Sequence, residues 1–237
     1  MLVNGGEQCV MPNLQQAIQN LYTTFARYPL NVYMDYCMCC VTGSEAALIL
    51  DGDLHDLPHE NLVRFAAKAA TTWGDVNDYR HFLPRIFELM ATERPLNIGT
   101  EAWRQACKLN ELCWWAWPEG EQEAIEDFFL AWFRAALKSP QQNRIGHDAG
   151  DILKAAASIG DDLGPYLNSR AKAGPHGVEQ LAHEVLNKEH SSWDDETAQE
   201  RFQNWLREPS RRQQLQAVAL PPELLARALA SIDALSS

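Results

Sequence analysis

TTWGDVNDYRHFLPRIFELM, residues 71–90, holds a helix boundary and the densest polar chemistry in the chain. Gly74 reads as the C-terminal cap of one helix, and Asp75 or Asp78 as the N-cap of the next. Tyr79, Phe82, Leu83, Ile86, Phe87 and Met90 recur at three- and four-residue spacing, which places them on one helical face. Pro84 interrupts that face, since it lacks an N–H and collides with the preceding turn. The pattern therefore predicts a short turn of helix ending at His81 and a second helix starting at Leu83.

The same helical spacing continues on both sides. Upstream, Asn13 caps a helix running to about Tyr28, with Leu14, Ile18, Leu21 and Phe25 inward and Pro29 as its stop. Residues 29–43 read as irregular. Ser44 opens a short helix to Leu50, and Pro58 starts another that ends near Trp73. Downstream, Thr100 caps a helix to about Trp115. Residues 119–138 form the clearest helix, with Ile125, Phe128, Phe129, Trp132, Phe133 and Ala136 on one face. Its acidic start (Glu119, Glu121, Glu123) and basic end (Arg134, Lys138) suit the helix dipole.

Further helices are expected over 147–159, through Leu167, from Pro175, from Asp194 to Pro209, over Arg211–Val218, and after Pro221-Pro222. Spacing puts Trp103, Trp132 and Trp205 in the core, whereas only one of the adjacent Trp114 and Trp115 can point inward. Two-residue alternation is sustained nowhere, so the chain is expected to be all-α.

An internal echo bears on the architecture. Residues 68–75, KAATTWGD, align without gaps on residues 154–161, KAAASIGD. Self-similar helix pairs suggest helical hairpins stacked as a HEAT- or armadillo-like array. The alternative is a non-repeating orthogonal helix bundle. Without a long polar linker, residues 1–237 read as a single domain, with 13–138 and 147–235 as related halves.

With 237 residues, of which 46% are hydrophobic, the chain is long enough for a full core. A net charge of −12 argues against nucleic acid or an anionic membrane as partner, and suits a basic protein partner. The start, MLVNGGEQCVMP, has neither the basic nor the apolar region of a signal peptide. No apolar run reaches the roughly 18 residues of a membrane span. The six cysteines (Cys9, Cys37, Cys39, Cys40, Cys107 and Cys113) are few for this length, and they read as reduced thiols in a cytoplasm.

Two polar groups could carry chemistry. Cys37 and Cys40 with His55 and His59 match a generic Cys2His2 zinc spacing, with Cys39 to spare. Pro58 between the two histidines and the acidic surroundings oppose a zinc-finger arrangement. Otherwise these cysteines are small hydrophobes in a loop. The second group is Asp75, Asp78, Arg80, His81 and Arg85. Histidine as a residue type suits acid–base chemistry, which His81 could serve, and the arginines could hold a carboxylate. The plainer reading is that these charges cap the helix and bridge its neighbours. His183-Glu184 is not a metalloprotease start, because Asn187 stands where the second histidine would be. No phosphate loop, nucleophile elbow or dinucleotide fingerprint is present, so no catalytic residue is assigned.

Residues 37–40 (CMCC), 71–75 (TTWGD) and 79–88 (YRHFLPRIFE) together resemble a family of bacterial proteins that has no assigned activity. The resemblance spans about residues 20–90 and implies a bacterial cytosolic protein. The expected function is a protein–protein interaction module, in its most concrete form an immunity protein or inhibitor of a basic toxin. The alternative is a metal-dependent or acid–base enzyme built on Cys37, Cys40, His55 and His59 or on His81.

Overall fold

The computed structural model describes residues 13–92, 101–140, 148–187 and 193–235. Among them are twelve α-helices and no strand beyond two isolated bridges, so the chain is all-α as its periodicity implies. The N-terminal helices are α1 (Leu14–Phe25), α2 (Gly43–Leu50), α3 (His59–Lys68), α4 (Val76–Thr92), α5 (Ala102–Glu111) and α6 (Glu119–Ala136). The C-terminal ones are α7 (Ala149–Ser158), α8 (Leu163–Ala171), α9 (Pro175–Leu186), α10 (Glu196–Arg207), α11 (Pro209–Gln216) and α12 (Pro222–Ala234).

Short polar side chains start several of these helices by accepting backbone N–H groups that have no partner within the first turn. Asn13 caps α1, its Oδ1 taking the Gln16 N–H at 3.0 Å. Thr42, not Ser44, caps α2: its hydroxyl takes the Glu45 N–H, and the Glu45 carboxylate takes the Thr42 N–H at 2.8 Å. That reciprocal pair satisfies two donors at once, which Ser44 alone would not. Asp195, not Asp194, caps α10. Thr100 lies outside the described residues; α5 begins behind Glu101.

Two helix ends differ from their sequence expectation. α3 stops at Lys68 rather than near Trp73. There the chain doubles back so that Trp73 is buried edge-on against Phe65 at 5.5 Å, and Ala70 adopts a left-handed φ of 56°. Burying an indole outweighs the ~1–2 kcal/mol of that backbone strain. α4, in turn, runs unbroken through Pro84 instead of splitting at His81. The missing N–H costs one helical hydrogen bond, about 3 kcal/mol in an exposed helix. Here Phe82, Leu83, Ile86 and Phe87 are all fully buried, and their packing holds both sides of the proline in line.

α6 is central: it packs against α1, α7 and α8. Phe128 to Phe133 are buried without interruption, as in a helix surrounded by other helices. Phe87 of α4 meets Phe128 at 5.0 Å, and Phe133 meets Tyr166 of α8 at 5.2 Å. Trp103 departs from its expected core position and is 48% exposed. The buried face of α5 is Ala102, Gln105, Ala106 and Leu109, and Trp103 sits one position off it, beside Arg104. Trp114 is buried and Trp115 exposed, as adjacent side chains require.

Between α8 and α9 lies a buried ion pair, Arg170 with Glu184, whose side chains are 0% and 3% exposed.

The two echoed segments fold differently. Lys68 is the last residue of α3, whereas Lys154 lies well inside α7. What they share is a glycine of positive φ, Gly74 at 65° and Gly160 at 84°. Further, α1 pairs with α6 across a long stretch of sequence, a contact that a nearest-neighbour stack does not require. Among the described residues no helix is long and apolar enough to cross a membrane.

A Cβ on Gly74 would stand 2.7 Å from Asp78 Oδ2 and 2.9 Å from Met34 Sδ, whereas one on Gly160 would meet nothing within 4 Å. Urea denaturation is therefore expected to show Gly160→Ala costing about 1–2 kcal/mol, for backbone strain alone. Gly74→Ala should cost about 1–3 kcal/mol more, for overpacking.

Candidate functional site

Of the polar residues at the start of α4 and along it, His81 and Arg80 turn to Tyr28 in the loop between α1 and α2, residues 26–42, whereas Arg85 turns to Leu57 and Glu88. Asp75 Oδ1 accepts the N–H groups of Asn77 at 2.7 Å and Asp78 at 3.0 Å, and Asp78 Oδ2 accepts the Asp75 N–H at 2.8 Å. This is a closed cap at the start of α4. Burial pushes the Asp78 carboxyl above its ordinary pKa, and the Asp75 N–H pulls it part of the way back.

One turn on, Arg80 lies over the rings of Trp117 at 4.2 Å and Tyr28 at 5.1 Å, with Glu121 Oε2 at 3.5 Å. His81 Nδ1 is 2.8 Å from the Tyr28 carbonyl; a carbonyl only accepts, so Nδ1 carries the proton in that bond. Arg85 donates to the Leu57 carbonyl at 2.8 Å and to Glu88 at 2.7 Å. Glu88 also receives the Tyr22 hydroxyl at 2.6 Å. The five candidates thus form a row of separate anchors, not one convergent centre.

One of these anchors, His81, meets a shallow depression of about 380 Å³ lined also by Tyr22, Leu30, Asp53 and His55. His55 stacks on Tyr22 with ring centroids 3.9 Å apart, and His59 is buried at the start of α3. Neither histidine joins the cysteines. Among the described residues the one group of potential metal-ligating atoms is Cys37, Cys39 and Cys40, whose sulfurs lie within 4.8 Å of one another. The Cys37–Cys40–His55–His59 set expected from spacing is not assembled. α2 and the turn after it hold His55 against Tyr22, away from the cysteine turn.

That turn is built by its own backbone. The Cys40 N–H donates to the Cys37 carbonyl at 2.8 Å, and the Val41 N–H to the same oxygen at 2.9 Å, so positions 37, 39 and 40 converge. Cys37 and Cys39 sulfurs are 2.7 Å apart, and Cys39 and Cys40 sulfurs 3.7 Å. The hydrogen bond with Cys39 holds the Cys37 thiol below the ordinary thiol range, and the same bond pushes Cys39 up to about 11. Cys39 is exposed, while Cys37 and Cys40 are half-buried and Cys40 packs against the hydrophobic core.

The rest of the loop is held at many points. The Cys37 N–H donates to the Thr72 carbonyl at 2.8 Å, and the Gly74 N–H to the Asp35 carbonyl at 2.7 Å. Tyr36 and Trp73 form an isolated bridge. Lys68 and Arg64 of α3 both donate to the Cys40 carbonyl. Inside, Met34 is buried. Outside, Val32 (57%), Tyr33 (88%) and Met38 (87%) stand in solvent.

Sequence reasoning missed two groups. Glu121 is wholly buried yet reads, beside Glu119 and Glu123, as one more acid at a helix start. It takes the Tyr28 hydroxyl at 2.6 Å and an ion pair from Arg27, with Arg80 on its other side. The signal available was the excess of cations and aromatics near its partners, but nothing in spacing pairs position 27 with position 121. The second group is Asp161, which accepts the Tyr166 hydroxyl at 2.5 Å. Burial raises its pKa to about 6, with the charge of Glu126 adding to the effect. Burial raises Glu126 and Asp127 as well.

No family model, curated protein or solved structure matches this chain. The geometry above therefore carries the functional argument.

Glu121→Ala strands Arg80 among aromatic rings and is expected to lower stability by about 3–5 kcal/mol in chemical denaturation. Tyr28→Phe, which removes one neutral donor to that carboxylate, should cost about 1–2 kcal/mol. Asp161 gives a pH signature. Its folded pKa is raised, so between about pH 4 and 6 the folded chain holds a proton that the unfolded chain has released. Its contribution to stability is greatest below that window and is lost as pH rises through it. Asp161→Asn should therefore flatten the fall in stability between pH 4 and 7, leaving the smaller slope of Glu126 and Asp127.

Proposed function

We propose that this chain is a protein-binding module whose docking surface is the loop 31–40, and that its partner presents a basic face. One observation carries this reading: Val32, Tyr33 and Met38 are each more than half exposed on a loop whose backbone is tied to α3, to α4 and to the turn between them. Large apolar side chains on a free monomer's surface cost hydration, and Tyr and Met are enriched where proteins meet. A backbone already held in place loses little further entropy on binding, which leaves more of the contact energy as affinity.

The polar row on α4 fits this reading. His81 bonds the Tyr28 carbonyl and ties the chain leading into the loop, on which Val32, Tyr33 and Met38 stand outward beside Asn31 and Asp35. The net charge of −12 supplies the second element, because an acidic protein attracts and orients a basic partner over a distance. An immunity protein or inhibitor that covers a basic toxin is the concrete form of this proposal.

The test is affinity capture with wild-type chain and a Tyr33→Ala variant side by side. A basic protein retained by the wild type should bind the variant ~30-fold more weakly, the scale of losing one aromatic hot spot of about 2 kcal/mol. Retention should also fall with added salt. Equal retention by the two forms would sink the assignment of this loop.

A further inference from the structure

We propose that Cys37, Cys39 and Cys40 form a three-thiolate site for a soft monovalent ion, copper(I). The site lies on the same loop as the docking surface proposed above, but it does not rest on that reading.

The first argument is geometric. Three sulfurs from one turn lie within 4.8 Å of one another, held there by backbone hydrogen bonds from Cys40 and Val41 to the Cys37 carbonyl. A metal–sulfur bond of about 2.3 Å, the length found for zinc thiolates, places sulfurs of a trigonal site about 4 Å apart. The Cys39–Cys40 separation of 3.7 Å is near that already, and the Cys37–Cys39 pair, at 2.7 Å, must open by about 1 Å. Cys39 is exposed, so a side-chain rotation suffices to open it.

The second argument is the donor set. Among the described residues no histidine or carboxylate joins the three sulfurs, so the site offers soft donors alone. Met38, 87% exposed, stands between Cys37 and Cys39 in the chain and is likewise a sulfur-bearing side chain. Zinc prefers four ligands and commonly includes nitrogen, whereas copper(I) is well served by thiolates and thioethers. The third argument is charge. Lys68 and Arg64 both donate to the Cys40 carbonyl, which sets two cations beside a site that is anionic once its thiols ionise.

Binding is ligand exchange without electron transfer. The three S–H bonds break, three copper–sulfur bonds form, the protons pass to solvent, and the copper remains in its +1 state. The open side of the ion faces solvent through Cys39.

The experiment titrates the reduced full-length chain, without oxygen, with copper(I) against bicinchoninate as a chromophoric competitor. One copper(I) per chain is expected, with sulfur-to-copper charge-transfer absorption in the ultraviolet. Cys39→Ser should lose that equivalent and its absorption, while Cys113→Ser, a change at a lone exposed cysteine, should keep both. Circular dichroism of the Cys39→Ser variant separates loss of the site from loss of the fold. Three outcomes overturn the proposal: no copper retained against the competitor, copper retained equally by Cys39→Ser, or zinc bound in preference to copper(I) in a parallel competition.

Discussion

A carboxylate with no exposed surface, Glu121, sets the position of everything around it. Leaving it unpaired in a dry interior would cost several kcal/mol, so the chain must bring cations and donors to it. Arg27 and the Tyr28 hydroxyl come from the exit of α1, and Arg80 comes from α4. Because Glu121 lies in the first turn of α6, the helix dipole adds to its stabilisation. The outcome is that α1, α4 and α6 meet at one charged point, and the chain leaving α1 has a single way to go. That way leads into the loop 26–42, whose course is then confirmed by the His81 bond to the Tyr28 carbonyl.

A division of labour follows from that arrangement. Arg64 and Lys68 of α3 and His81 of α4 bond the backbone of residues 26–42, and Val32, Tyr33, Met38 and Cys39 are left exposed beside Asn31 and Asp35. Stability and surface are thus set by the same few hydrogen bonds. The bonds of Cys37 to the Thr72 carbonyl and of Gly74 to the Asp35 carbonyl, with those from Lys68 and Arg64 to Cys40, hold a backbone that would otherwise have little reason to keep Val32, Tyr33 and Met38 in water.

Much of this was legible in the sequence, because helices announce themselves locally. The three-four spacing of Tyr79, Phe82, Ile86 and Phe87, the Asn13 cap, and the acidic start and basic end of α6 all act within a few residues. Errors arose where a distant contact outweighed a local rule. Pro84 stays inside α4 because Phe82, Leu83, Ile86 and Phe87 are packed from outside the helix, and α3 stops at Lys68 because Trp73 has a burial site against Phe65. The candidate site was half legible. CMCC marked the cysteine turn, yet linear spacing suggested His55 and His59 as co-ligands and left Cys39 over. A turn brings positions 37, 39 and 40 together, and only three-dimensional packing shows His55 resting on Tyr22 instead. Glu121 was hidden for the same reason, since its partners stand far away along the chain.

The ion pair of Arg170 and Glu184 has a consequence for descent. A charge abandoned in that pocket costs about 3–5 kcal/mol, a large share of what holds a marginal domain together. Neither position can drift alone without passing through a crippled intermediate. The two sites, on adjoining helices, are therefore inherited as a unit: among descendants of this gene, loss of the arginine and loss of the acid should coincide, with packed apolar residues in their stead.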